Sequence, residues 1–282
     1  MNIKEFFHKI KILFSRFFGY SIPKTTQAKM YGSMGEDDFF FKVKAILPDC
    51  LIKRNVVIQT IEGNAEIDCM ILYDDKIFAI EIKRWKGDLI QQNDKFIQKK
   101  IDRWTNEIHK KIHKSPFRQL SRAIYLLKKQ IPGNPWINTI VFFEDTDYIE
   151  INDENLWFDN IDNLIEYIIN CGEKTNSSIA KKFFDKCIPA DCLYASSFRK
   201  WLNCIICDES VCFQTSTKLL TRNEIKVIKI KHHFLYDELL IITYDNVMYK
   251  IKCENGYVNV IENGNICKYS LSKIDFIELG GR

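Results

Sequence analysis

Apolar and polar residues alternate along the first half of this chain, and the period of the pattern changes at a few definite places. From Asn55 to Ile61, Ala65 to Tyr73 and Lys76 to Lys83 the apolar side chains recur at every second position or run together, as strands require. Upstream, Phe39, Phe40, Val43, Ile46 and Leu47 follow helical spacing, which predicts a helix from Gly35 to Leu47. Glu62-Gly63-Asn64 and Asp74-Asp75 supply the turns between the strands. Leu89 to Gln91 and Phe96 to Gln98 read as a hairpin about Asn93-Asp94. Pro116 then opens a helix with Phe117, Leu120, Ile124 and Leu127 on its inner face and Arg118, Arg122 and Lys129 elsewhere. Asn138 to Glu144, rich in Ile, Val and Phe, predicts a buried strand.

The rest of the chain is organised differently. A short strand and a helix (Asn160 to Asn170) are expected after Tyr148, and the polar run from Gly172 to Ser178 marks a boundary. Ile179 to Cys212 reads as mixed and largely helical. Lys226 to Leu279 is β-rich, with hairpin turns expected at Asn255-Gly256, between Val247–Lys252 and Tyr257–Ile261, and at Asn263-Gly264. At the other end, Met1 to Tyr20 is a basic amphipathic segment in which Ile3, Phe6, Phe7, Ile10, Leu13, Phe14, Phe17 and Phe18 keep helical spacing among Lys4, Lys9, Lys11 and Arg16. Its charges exclude an ordinary membrane-spanning helix, and two readings stay open: a helix lying on an anionic membrane surface, or one packed on this chain or a partner. Three divisions follow: a segment and linker at 1–28, a domain at 29–172, and a smaller domain at 179–282.

Charge sharpens this picture. The net charge is only +4, yet the segment from Lys83 to Gln130 carries fourteen Lys or Arg against four Asp or Glu, so the remainder is net negative. Positive charge on one segment suits a polyanion such as nucleic acid. Ten cysteines without a cleavable secretory signal fit free thiols in a reducing cytoplasm, with attachment to the inner face of the membrane left open by residues 1–20. Cys204-x-x-Cys207 with Cys187, Cys192 and Cys212 lacks the second Cys-x-x-Cys of a zinc knuckle, so buried thiols are the expectation. His109 and His113, four apart, would share a helical face. No glycine-rich nucleotide loop and no Gly-x-Ser-x-Gly is present, which argues against a nucleotide-driven motor and a serine hydrolase.

The chemistry-bearing stretch is Ala65 to Lys83. It sets Asp68 in one strand and Glu81-x-Lys83 at the polar end of the next, with Glu81 and Lys83 on one face and Ile80 and Ile82 turned to the core. Two carboxylates beside an ammonium can hold a hard cation and handle a phosphate under attack. Glu66 shares the face of Asp68 and reads as a solvated acid.

With Gly35-Glu36, Ile67-Asp68, Glu81-x-Lys83, Gly87 and Ser115-Pro116-x-x-Gln119, the stretch from Lys29 to Asn170 resembles the nuclease-related domain, NERD, a branch of the PD-(D/E)xK superfamily. Ser115 stands where the family usually has Asn, and either residue can cap a helix that starts on proline. The resemblance implies an α/β fold with a restriction-endonuclease-like core (helix, three-strand meander, helix, strand), followed here by the smaller β-rich domain. It implies a Mg²⁺-dependent endonuclease, Mn²⁺ serving as substitute, that acts on DNA, in a setting such as bacterial defence against phage. Glu36, Asp68, Glu81 and Lys83 would form the catalytic set with Gln119 in support; Glu36, Asp68 and Glu81 would hold the metal, and Arg84, Lys86, Arg118 and Arg122 the nucleic acid. The alternative is a weak or inactive module of the same fold that binds nucleic acid or a partner.

Overall fold

The computed structural model of the chain describes residues 38–102, 105–152, 155–195, 200–233, 236–254, 256–262 and 265–280. Glu36, the segment 1–20, its linker, Trp104, Asn255 and the Asn263-Gly264 turn lie outside the described residues. The chain is mixed α/β and divides into two compact units, with the break between Ile188 and Pro189.

In the first unit, residues 38–46 form helix α1, and its spacing of Phe39, Val43 and Leu47 buries one narrow stripe. Phe41 and Ile46 stay exposed. Strands β1 (Leu51–Thr60), β2 (Gly63–Tyr73) and β3 (Lys76–Gln92) then form an antiparallel meander. Asp74 and Asp75 both take positive φ (45° and 61°), the tight-hairpin conformation that short polar side chains tolerate. β3 runs on well beyond Lys83 and pairs through its second half with β4 (Lys95–Ile101), which pairs in turn with β5 (Ile108–Lys114). Helix α2 (Pro116–Gln130) starts as its sequence predicts, with the Ser115 side chain accepting from the Arg118 backbone N–H at 3.3 Å. It crosses over to β6 (Ile137–Glu150), which lies parallel to β3 along most of its length. β7 (Trp157–Phe158), helix α3 (Ile161–Asn170) and helix α4 (Ser177–Lys186) complete the unit.

The sheet is covered on both faces. Helices α2 and α4 bury Leu120, Leu127, Phe183 and Phe184 against Val56, Met70 and Ala79 on one side. On the other, α1 and α3 set Phe39, Val43, Leu164 and Ile168 against Ile71, Ile80 and Phe142. Each such apolar side chain contributes roughly 1.5–3 kcal/mol. The polar run at Gly172–Ser178 therefore connects two helices of the same unit.

Glycine is required at position 87. Gly87 has φ +91°, and a Cβ there would overlap the Lys99 carbonyl oxygen, where β3 bulges and β4 closes on it. Gly87→Ala should lower stability by at least about 1–3 kcal/mol, read as an earlier urea midpoint; an unchanged midpoint would mean that β4 retreats at little cost.

The second unit is an antiparallel sheet in the order β14-β13-β12-β17-β8-β9-β15-β16 over a core that includes Ile228, Leu239, Ile241 and Val260. Two expectations are corrected here. After α4 the chain is extended, as β8 (Asp191–Ala195) and β9 (Lys200–Ile206), because Asp191, Leu193 and their neighbours pair into this sheet. Further strands are β10 (Phe213–Gln214), β11 (Leu219–Leu220), β12 (Ile225–His232), β13 (Asp237–Thr243), β14 (Met248–Cys253), β15 (Tyr257–Glu262), β16 (Asn265–Ser270) and β17 (Phe276–Glu278). β14 pairs with β13 and β15 with β16 and β9, so no β14–β15 hairpin forms about Asn255-Gly256.

Candidate active site at the fork of the sheet

Along one edge β3 is occupied by β6; along the other it pairs first with β2 and later with β4. β2 leaves at Cys69↔Ile80 and β4 arrives only at Asp88↔Lys99. The intervening edge needs another acceptor for its backbone donors. Asp68, the residue at which β2 departs, supplies it: its Oδ2 accepts the Ile82 backbone N–H at 2.7 Å. The fork thus fixes one carboxylate beside the next.

Glu81 points into the fork from β3 and is completely buried. Its Oε1 accepts from the Lys83 ammonium and from Nε2 of Gln119, one turn into α2. Among the described residues Oε2 has no hydrogen-bond partner. Lys83 Nζ also stands 3.8 Å from Asp68 Oδ2, so one ammonium serves two carboxylates. Burial, and then the neighbouring Asp68, push the Glu81 carboxyl up to about 8 against the pull of Lys83. Burial raises Asp68 as well, with Lys83 and the Ile82 N–H opposing. Burial thus opposes the charged form of both carboxyls. Glu66 adds repulsion at Glu81 from a half-buried position on β2.

Asp68, Glu81, Lys83 and Gln119 are therefore brought together, while the four basic candidates are dispersed. Arg84 lies on the opposite face of β3, its Nε 2.8 Å from Asp145 and 3.5 Å from Glu144, with Asp38 of α1 at 3.9 Å. Alternation along the strand separates it from Lys83. Lys86 is exposed, and its carbonyl accepts from Gln98 Nε2 at 2.7 Å. Arg122 donates to the Glu62 carbonyl at 2.8 Å and lies over Tyr125. Arg118 pairs with Asp94 at 2.6 Å.

His109 and His113 sit on a strand, not a helix; β5 is an edge whose exposed side chains hide its period. His113 stacks on Trp85 with ring centres 4.1 Å apart and shares a 3.0 Å hydrogen bond with Gln98 Oε1. Burial, then Lys111, Lys100 and Lys83, hold it down at about 4, so it is a neutral donor at pH 7. Trp85 also packs on Phe96 and Phe143, on the same face of β3 as Lys83. Sequence reading missed Gln98, which the β3–β4 hairpin register would have flagged, and set His113 on the wrong kind of element. All ten cysteines are free, and among the described residues no group of three or more His, Cys, Asp or Glu is arranged to hold a metal. Nor, among them, is any helix long and apolar enough to cross a membrane.

No curated protein and no solved structure matches the chain. Residues 31–144 match the family model for NERD, the nuclease-related domain, a span that runs from before α1 to the middle of β6 and includes the whole fork. Over that span, which is less than half of the chain, the sequence is similar to the nuclease-related domain family.

Proposed function

We infer that the first unit is a metal-dependent nuclease that hydrolyses phosphodiester bonds in DNA. The observation that carries this reading is the fully buried Glu81, without a hydrogen-bond partner at Oε2 among the described residues, beside Asp68 and Lys83. A buried acceptor without a partner is costly, and a second carboxylate beside it makes it more so. Hard oxygen donors of this kind fit Mg²⁺, or Mn²⁺ in its place. Asp68 and Glu81 would hold the ion, with Glu36 the candidate for a third carboxylate. The ion, when bound, would supply Lewis acidity and offset charge on the phosphate.

The chain's own groups do the rest. Gln119 fixes the Glu81 rotamer through Oε1 and leaves Oε2 to the ligand. Lys83 would offer N–H donors to the attacking water and to the phosphate oxygens. The half-buried stack of Trp85 and His113 stays neutral beside that ammonium. The family resemblance suits a role in defence against foreign DNA, which is an inference from likeness alone.

One observation favours a second reading, a NERD module that binds nucleic acid without cutting it: among the described residues only two carboxylates meet at the fork. The two readings separate on incubation of the full chain with plasmid, single-stranded DNA and RNA, each with Mg²⁺, Mn²⁺ or EDTA. Metal-dependent cleavage that EDTA abolishes is expected. Binding without cleavage under every condition would leave the second reading standing.

A further inference from the structure

The ribbon formed by β4 and β5 carries an arrangement that folding disfavours. Lys95 sits directly opposite Lys114, and four residues along the same face Lys99 sits directly opposite Lys110. Like charges opposed across strands cost stability. Lysines on an edge strand guard against unwanted strand pairing, which accounts for Lys110 and Lys114 on β5. It does not account for Lys95 and Lys99, because β4 is paired on both sides, with β3 and with β5. The two cationic rungs are about 13 Å apart at the usual rise per residue. A single small anion cannot span them; a polyanion can.

At the Lys95–Lys114 end the ribbon borders a cleft of about 550 Å³ whose lining also includes Ser115, Arg118 and Gln119 of the α2 start. Gln119 is the residue that holds Glu81, so the cleft abuts the fork. Its one acid is Asp94, on the β3–β4 turn, and Asp94 takes the Arg118 guanidinium at 2.6 Å. Both side chains are mostly exposed (61% and 71%). Such a pair contributes little to stability, whereas a guanidinium prefers the two-pronged contact that a phosphate offers.

We propose that the β4–β5 ribbon and this cleft carry the phosphate backbone of the nucleic acid to the fork, and that Asp94 occupies Arg118 until a phosphate replaces it. The proposal rests on the nuclease reading for its substrate, but its test does not read cleavage. The affinity of the full chain for fluorescent single-stranded and duplex DNA is measured by anisotropy in EDTA, over a range of salt. Asp94→Asn should tighten binding about three- to tenfold and Arg118→Gln should weaken it, and in the Arg118→Gln background the Asp94 effect should vanish, as coupling through one contact demands. The pair Lys95→Gln with Lys114→Gln should reduce the slope of log K against log salt on duplex by about two. Because that pair also removes an opposed charge, its melting temperature should not fall, so weaker binding cannot be put down to unfolding.

Unchanged affinity in all these variants, or a wild type that binds no nucleic acid, overturns the proposal. So does a wild type that sediments with phosphatidylglycerol vesicles through the same lysines while ignoring DNA, since the ribbon would then face a membrane. A wild type that binds nucleic acid through these residues and does not cut it would count against the nuclease reading alone.

Discussion

Glu81→Gln and Asp68→Asn should each abolish metal-dependent cleavage, by a factor of a thousand or more, and Glu81→Gln should at the same time make the metal-free protein more stable. The first half follows from removing one of two carboxylates in the proposed metal set, since a neutral amide binds a hard cation far less tightly. The second half follows from burial. Glu81 keeps its proton up to about 8 in the folded protein, against 4.5 for the free group, so folding takes up a proton that the unfolded chain has lost. Stability therefore falls as pH climbs from about 4.5 through about 8. Glutamine never ionises and still offers an oxygen to Lys83 and Gln119. Wild type and variant should converge near pH 5 and separate by about 1–3 kcal/mol at pH 8, measured by urea unfolding in EDTA. A variant that cuts at the wild-type rate removes Glu81 from the mechanism; one that is less stable than wild type at pH 8 removes the strain argued for the site.

Lys83→Met should lower turnover by on the order of a hundredfold or more, the usual scale for a preorganised group that meets developing charge. Affinity for nucleic acid in EDTA should change no more than a few-fold. The same substitution removes the ammonium that opposes the upward shift of Asp68 and Glu81, so both carboxyls should rise further. If the loss falls on KM and spares kcat, Lys83 is an anchor for the phosphate and takes no part in the attack.

Much of the first unit was written locally. The helical stripe of Phe39, Val43 and Leu47, the Asp74-Asp75 turn, the Ser115-Pro116 helix start and the even spacing of Glu81 and Lys83 are each decided by neighbours a few residues away. That is why they could be read before any fold was known. The limits of local reading are equally specific. β5 was invisible because its side chains are exposed on an edge, and a strand that buries little leaves no apolar period. The strands after α4 read as helical because short pieces of a sheet take their stability from partners far along the chain.

The sequence by itself determined which residues can do chemistry here: two acids, a lysine and a glutamine, on elements whose periods put the first three on one face. Only the tertiary structure decided their condition. Whether Glu81 meets water or is sealed from it depends on where β2 leaves β3 and where β4 arrives, and that is a matter of sheet pairing between distant segments. Nor could composition tell which cations are at hand. Arg84 is turned by strand alternation into the acids beside α1, and Arg122 is taken by the Glu62 turn. Lys95 and Lys114, unremarkable in the sequence, become neighbours through register. Electrostatic energy depends on distance and dielectric, and neither quantity exists until the chain has folded.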